Sequence, residues 1–317
     1  MTESGIRSSA LDTIGGTPLL RLRTVVPAGA GQVLVKVEGG NPTGSYKDRM
    51  ARAIIEGAER RGDLPPGRRV VEFTGGSTGS SLAFVCAVKG HPLTLVSSDA
   101  FAPEKLRTMR AFGAELLVVP SDGGRITPDL FVRMREQVDD IIARDGAFWT
   151  DQFNNRDALV GYATLGEEIL EQAHRGGAAV DVFCAGVGTA GMLAGVSTAL
   201  RRAGSSARVV ALEPTTSPVL TAGTGGPHRV EGLATGVVPP LLTEDVYDQA
   251  RAVDEQVARQ LALALARQEG ILAGTSGALN VLGAIGLAEE LGAGHTVVTV
   301  TPDTGLKYLA GDLFTSG

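Results

Sequence analysis

Short runs rich in Val and Leu recur along this 317-residue chain, apolar on both faces and separated by stretches with helical spacing. The runs are Gln32 to Val37, Arg69 to Phe73, Leu93 to Ser97, Glu115 to Val119, Val180 to Ala185, Arg208 to Leu212 and Thr296 to Val300. A strand without apolar–polar alternation has no face to give to water, so these read as parallel strands covered on both sides. The clearest intervening helix is Asp254 to Gly270. Asp254 is a good N-cap, Val257, Leu261 and Leu265 repeat every fourth residue, and Gly270 is a good stop. Strand–helix alternation implies open α/β sheets with right-handed crossovers. The pattern restarts near residue 150. The expectation is an N-terminal α/β lobe over residues 1–150 and a C-terminal α/β lobe over 151–317, with about the first 40 residues able to pack on the other lobe and a ligand cleft between the two. Thr221 to Pro240 is Gly- and Pro-rich without a period, the composition of a long functional loop.

Composition excludes several classes. Hydrophobic residues at 43% and charged ones at 20% belong to a folded chain, not a disordered one. A formal net charge of −6 argues against a nucleic-acid or polybasic membrane binder. No stretch reaches the roughly 20 apolar residues of a membrane span. The start, Met1 to Gly5, lacks a basic segment followed by an apolar one, so a cytoplasmic protein is expected. Cys86 and Cys184 form no disulfide scaffold and have no metal-ligand spacing, and each reads as a small buried hydrophobe. His91, His174, His228 and His295 are scattered, so no metal site is expected, and His228 reads as a solvated loop residue. The 43 glycines are dispersed, which marks sharp turns and close backbone approach to a ligand.

Three turns carry chemistry. Gly186-Val187-Gly188-Thr189-Ala190-Gly191 spells G-x-G-x-x-G after a strand, and the next strand ends in Glu213. That is the dinucleotide fingerprint, although by itself it specifies only a phosphate site or a tight turn that binds nothing. Asn41 to Arg49 places a turn before a helix, with Ser45 able to cap it and Lys47 in the first helical turn. The dipole disfavours a lysine there. It is either a solvated residue paired with Asp48, or a partly desolvated amine suited to a Schiff base. Thr74-Gly75-Gly76-Ser77-Thr78-Gly79-Ser80 brings amides and hydroxyls to a helix start, which suits a carboxylate or simply caps the helix.

Together these residues resemble the cysteine synthase (O-acetylserine sulfhydrylase) and cystathionine β-synthase family of pyridoxal-phosphate enzymes, fold type II. The resemblance begins at Thr13-Ile14-Gly15-Gly16-Thr17-Pro18-Leu19 and runs through Asn41 to Arg49, Phe112 to Leu116, Asp151 to Asn155, Gly186 to Gly191 and Leu212-Glu213-Pro214. It continues through Ser217 to Leu220, Gly226-Pro227-His228, Gly270 to Gly277 and Pro302 to Gly305. In this order and spacing the set is highly specific. It implies two open, mostly parallel twisted-sheet lobes with a cofactor cleft between them. It implies that Lys47 holds pyridoxal 5'-phosphate as a Schiff base and then serves as general base at Cα. Gly188, Thr189, Ala190, Gly191 and Met192 fall on the phosphate turn, Ser276 on the serine that bonds the pyridine nitrogen (Thr275 if the register shifts by one), and Thr74, Gly75, Gly76, Ser77, Thr78 and Gln152 on the substrate-carboxylate site.

The chain departs from the family at several of these positions. The family usually reads Thr-Ser-Gly-Asn-Thr-Gly where this chain has Thr74 to Gly79, and its asparagine, which bonds the cofactor's ring hydroxyl, is here Ser77. It usually has glycine at Ala190 and threonine at Met192. Gly75 and Ser77 are expected to open space beside the substrate. The implied reaction is β-replacement on an O-activated L-serine such as O-acetylserine, through an α-aminoacrylate, with sulfide or another thiol as nucleophile. The alternatives are a β-eliminating lyase with the same residues, a non-catalytic relative, and a nicotinamide-dependent dehydrogenase built on Gly186 to Gly191. The expected partners are an amino acid and a small nucleophile, with no nucleic acid or membrane. A homodimer of bare catalytic cores, without haem-binding extension or C-terminal regulatory pair, is expected.

Overall fold

A computed structural model describes residues 5–124, 127–233 and 236–315. Met1 to Ser4 of the N-terminal reading, and residues 234 and 235 of the Gly-rich loop, lie outside the described residues. The strands are β1 (Leu19–Arg21), β2 (Gln32–Val37), β3 (Val70–Phe73), β4 (Leu93–Ser98), β5 (Glu115–Val119), β6 (Phe148–Trp149), β7 (Val182–Gly186), β8 (Arg208–Pro214), β9 (Gln249–Val253) and β10 (Thr296–Thr301). The helices are α1 (Lys47–Arg61), α2 (Ser77–Lys89), α3 (Pro103–Ala111), α4 (Pro128–Asp145), α5 (Asp157–Arg175), α6 (Gly191–Arg202), α7 (Val219–Ala222), α8 (Glu255–Ala264) and α9 (Thr275–Leu291). They fall into two compact units, one of residues 5–14 and 41–157, the other of residues 15–40 and 158–315.

The first unit is built on a parallel four-stranded sheet in the order β5-β4-β3-β6. Successive residues of one strand serve opposite layers. Val70 and Leu95 join Ala51, Ile55, Leu82 and Val85 of α1 and α2 on one face. Val71 and Val96 join Leu130, Met134, Val138 and Ile141 of α4 on the other. The α4 residues recur at intervals of three and four, the helical stripe, and burying each is worth about 1.5–3 kcal/mol. This two-sided cover is why β3 and β4 carry apolar residues without alternation.

The second unit holds a six-stranded sheet in the order β1-β2-β10-β7-β8-β9, parallel except for the antiparallel β1–β2 edge. Val33, Val35, Cys184, Val210, Leu212 and Val297 pack with Ala258 and Ala262 of α8 and Leu279, Val281 and Ala288 of α9. Lys36 is fully buried, and its Nζ meets Glu168 Oε2 at 2.7 Å, Gln172 Oε1 at 2.8 Å and the Thr17 carbonyl at 2.5 Å. That buried cation ties the Gly16–Thr17 turn to α5.

The strands read from the sequence are present, with Gln32–Val37 and Glu115–Val119 unchanged and the ends of the others moved by one or two residues. Those not anticipated, β1, β6 and β9, all lie at sheet edges. An edge strand pairs on one side only, so it can be short or polar, as Gln249-Ala250-Arg251 is. The 254–270 helix is α8, capped by Asp254 Oδ1 on Gln256 N and Val257 N, continued by a π-helical turn at Leu265–Glu269, and ended at Gly270 with φ 69°.

Candidate active site

In the first unit, Lys47 is the first residue of α1. Ser45 Oγ accepts from Lys47 N at 3.3 Å, although Tyr46 holds the cap position. Asp48 does not pair with the lysine. It is buried and folds back on Thr43, accepting from the Thr43 amide at 2.8 Å and its hydroxyl at 2.6 Å. The turn is therefore locked by its own aspartate, and the reading of Lys47 as a solvated partner of Asp48 fails. Lys47 Nζ stands 5.6 Å from the centroid of the Tyr46 ring. Burial of the amine lowers the Lys47 ammonium to about 8, and the Glu72 charge opposes that fall.

A lysine so lowered is a usable nucleophile near neutrality. In the cofactor-free protein, reductive trapping of a small aldehyde on Lys47, followed by mass spectrometry against pH, should level off above about pH 8. A profile climbing toward the ordinary 10.5 would remove this property.

The second turn of this unit joins β3 to α2. Thr74 N donates to Val96 O, extending the sheet, and Thr74 Oγ1 accepts from Gly76 N at 3.2 Å. The α2 N-terminus, at Gly76, has no side-chain cap. Ser77 opens that helix. Thr78 Oγ1 donates to Gln152 Oε1 at 2.7 Å, and Gln152 Nε2 donates to the Phe73 carbonyl at 3.2 Å. Thr74 through Thr78 and Gln152 are thus gathered at one end of β3. The expected open space at Gly75 is absent. A Cβ there would lie 2.4 Å from Phe101 Cε1, so the ring fills it, and one at Gly76 would lie 2.6 Å from Lys105 Cδ.

Glu72 on β3 was not singled out by its sequence. It is fully buried, and burial pushes its carboxyl up to about 7 against four hydrogen bonds. An acidic residue inside an apolar strand was the available signal.

In the second unit, the 186–192 turn links β7 to α6. Asn280 Oδ1 accepts from Gly186 N at 2.7 Å while its Nδ2 donates to Val300 O at 2.9 Å. Asn280 is buried one turn along α9 from Ser276, a spacing that could have marked it. A Cβ at Gly188 would lie 2.2 Å from the Gly232 carbonyl. Ala190 has φ 65°, rare outside glycine, which swings the chain into α6. The α6 N-terminus also has no side-chain cap. Gly188 and Thr189 are half-buried, and Met192 is buried in the first turn, where only its backbone is suited to an anion.

Thr275 Oγ1 accepts from Glu231 N at 3.0 Å, so that hydroxyl is engaged. Among the described residues no hydrogen bond engages Ser276 Oγ, which favours Ser276 over Thr275 as the partner of a ring nitrogen. Glu213 disposes of the dinucleotide reading. Its buried carboxylate accepts from Leu220 N at 2.7 Å, Thr221 N at 2.8 Å and Thr221 Oγ1 at 2.7 Å, and caps α7 instead of facing a ribose. Burial pushes the Cys86 and Cys184 thiols up to about 12, so neither is a nucleophile.

The residues fit a phosphorylated aldehyde. The first unit offers a lowered amine suited to a carbonyl, and the second, by itself, an uncapped glycine turn suited to a phosphate and a hydroxyl suited to a ring nitrogen. Residues 10–303 match the family described as pyridoxal-phosphate dependent enzyme. The chain is 41% identical over 302 residues to a cysteine synthase from Staphylococcus aureus, covering 95% of each chain. It is 39% identical over 309 residues to an O-ureido-L-serine synthase from Streptomyces lavendulae, covering 97% of this chain and 92% of the other. A crystal structure of a cysteine synthase from Entamoeba histolytica superposes with a TM-score of 0.92 at 31% identity, covering 100% of this chain and 93% of the other.

Proposed function

Because this chain belongs to the pyridoxal-phosphate dependent enzyme family, in its fold type II branch, we propose that it performs β-replacement on an O-activated L-serine, such as O-acetylserine, with sulfide or another thiol as nucleophile. The product is L-cysteine or a related β-substituted alanine. The cofactor, when bound, supplies an electron sink that weakens the Cα–H bond of a substrate amino acid. Lys47 would hold the cofactor by its aldehyde carbon until the substrate amine displaces it, and the freed lysine amine would then take the proton from Cα and later return it. The amides of Gly188, Thr189, Ala190, Gly191 and Met192 hold the phosphate. Ser276 would meet the pyridine nitrogen with a hydroxyl instead of a carboxylate, a partner that would leave that nitrogen largely unprotonated and favour chemistry at Cβ over transamination. Thr74, Gly75, Gly76, Ser77 and Thr78, with Gln152, would orient the substrate carboxylate, and Ser77, shorter than an asparagine, would need a water to reach the ring hydroxyl.

The division of labour follows the two units. The first supplies the amine and the carboxylate turn, the second the phosphate turn and the ring-nitrogen partner. The observation that carries the reading is Lys47, a lysine at the first position of a helix with its ammonium drawn down to about 8. The protein acts on small molecules as a cytoplasmic homodimer, with a solution mass twice the 32.7 kDa of one chain. No helix among the described residues is long and apolar enough to cross a membrane.

The deciding experiment is product analysis of the cofactor-loaded enzyme with O-acetylserine. Cysteine formed only when sulfide is present supports replacement. Pyruvate and ammonium formed equally with and without sulfide would reassign the enzyme to elimination.

A further inference from the structure

The four hydrogen bonds to Glu72 all come from donors. Oε1 accepts from Phe73 N at 2.9 Å and Trp149 Nε1 at 3.2 Å, and Oε2 accepts from Thr150 Oγ1 at 2.5 Å and Gln152 N at 3.1 Å. Phe73 N, Trp149 Nε1 and Gln152 N can only donate, so a proton on Oε1 would point at donors, while the Thr150 hydroxyl at Oε2 donates as it is placed here. The cage therefore favours an anion. Among the described residues no lysine or arginine hydrogen-bonds to it. Burying that charge is costly, and the four hydrogen bonds offset the cost only while these donors stay in place.

What the cage holds is the chain leaving β6. That strand is two residues long and pairs with β3 only at Val70↔Phe148 and Val71↔Trp149. It then bends through Asp151, whose φ of 45° is one of only two positive values on non-glycine residues among the described residues. Aspartate tolerates that conformation because its short side chain bonds locally, and here it accepts from Asn154 Nδ2 at 2.9 Å. Gln152 follows the bend. Its side chain already bonds Phe73 O and Thr78 Oγ1, which leaves one Nε2 hydrogen for a ligand.

We propose that Glu72 is a positioning residue: as an ionised carboxylate it clamps Trp149, Thr150 and the Gln152 amide to the end of β3, so that Gln152 presents its remaining amide hydrogen to the substrate carboxylate. This rests on the reading of Gln152 as a substrate-carboxylate ligand, and the test separates the two. Glu72→Gln keeps the shape but turns an NH2 toward two donors. The single variants Glu72→Gln and Gln152→Ala, and the double variant, are titrated with O-acetyl-L-serine. The apparent dissociation constant is read from the shift in cofactor absorbance, and KM and kcat from turnover.

Each single variant is expected to weaken amino-acid binding and raise KM about 10-fold with kcat within about 2-fold. The double variant is expected to match Gln152→Ala, because Glu72 acts through that side chain. Glu72→Asp, which keeps the charge, should recover part of the loss. If Gln152→Ala leaves binding unchanged, the reading of Gln152 fails and the proposal falls with it. If Gln152→Ala weakens binding but the two losses multiply to about 100-fold, Gln152 stands and the role of Glu72 is overturned. Should Glu72→Gln not fold, Thr150→Val removes one donor and leaves the anion. A KM increase of about 3-fold that vanishes in the Gln152→Ala background supports the clamp, and one that persists there overturns it.

Discussion

Replacing Lys47 by alanine is expected to give a folded protein that neither retains the cofactor's visible absorbance nor turns over. One amine performs two tasks, attaching the cofactor and moving the proton at Cα. The second alone is worth about 10² to 10⁴-fold. With the first also lost, kcat/KM should fall to about a thousandth of the parent or lower. Absorbance after dialysis and initial rates with O-acetylserine and sulfide measure both. Turnover within tenfold of the parent would end the mechanism.

The same variant carries a stability signature. The Lys47 ammonium titrates near 8 in the folded protein against an ordinary 10.5. Between those values the unfolded chain binds more protons, so this residue's contribution to stability improves as pH rises through that window. Below about pH 8 the burial penalty is present in full. Cofactor-free Lys47→Ala should therefore melt no lower than the parent at neutral pH, and its advantage should shrink above that pH. A large drop in melting temperature would show that the lysine serves packing instead.

Substitution at two glycines of the 186–192 turn should separate protein fit from ligand fit. Gly188→Ala would put a methyl 2.2 Å from the Gly232 carbonyl, a contact between two backbones with no flexible side chain to yield. Either the turn or residues 230–233 must move. Cofactor affinity is expected to fall about 100-fold, ~2.7 kcal/mol, and the cofactor-free protein should melt lower as well. Gly191→Ala is different. Its methyl would meet Ala158 and Tyr162 at an ordinary 3.5 Å, and alanine suits a first helical turn. The cofactor-free protein should melt as the parent does, so a loss of affinity there reports the phosphate itself. Equilibrium dialysis and thermal melts give both readouts. Parent-like affinity in both variants would remove the turn from the cofactor site.

Much of this was legible in residue order. Strands covered on both faces must be apolar throughout, so Val and Leu runs marked the central strands, and the turns after Phe73 and Gly186 followed at their ends. Edge strands escaped because the constraint on them is weaker. Lys47 was legible as an anomaly, a cation where a helix dipole disfavours one.

The pairings were not legible, because they join residues far apart in the chain. Glu72 finds three of its four donors 77, 78 and 80 residues later. Asn280 closes on Gly186 from 94 residues away. Phe101 occupies the place beside Gly75, where the residue type alone implied a gap. Glu213 has the spacing of a ribose ligand and is instead spent on the amides of α7. Local order thus determined which elements form and which amine is unusual, since periodicity and dipole act within a few residues. Tertiary packing decided which carboxylates and amides are spent and which remain for a ligand, since burial drives most polar groups to find a partner wherever the fold brings one within reach.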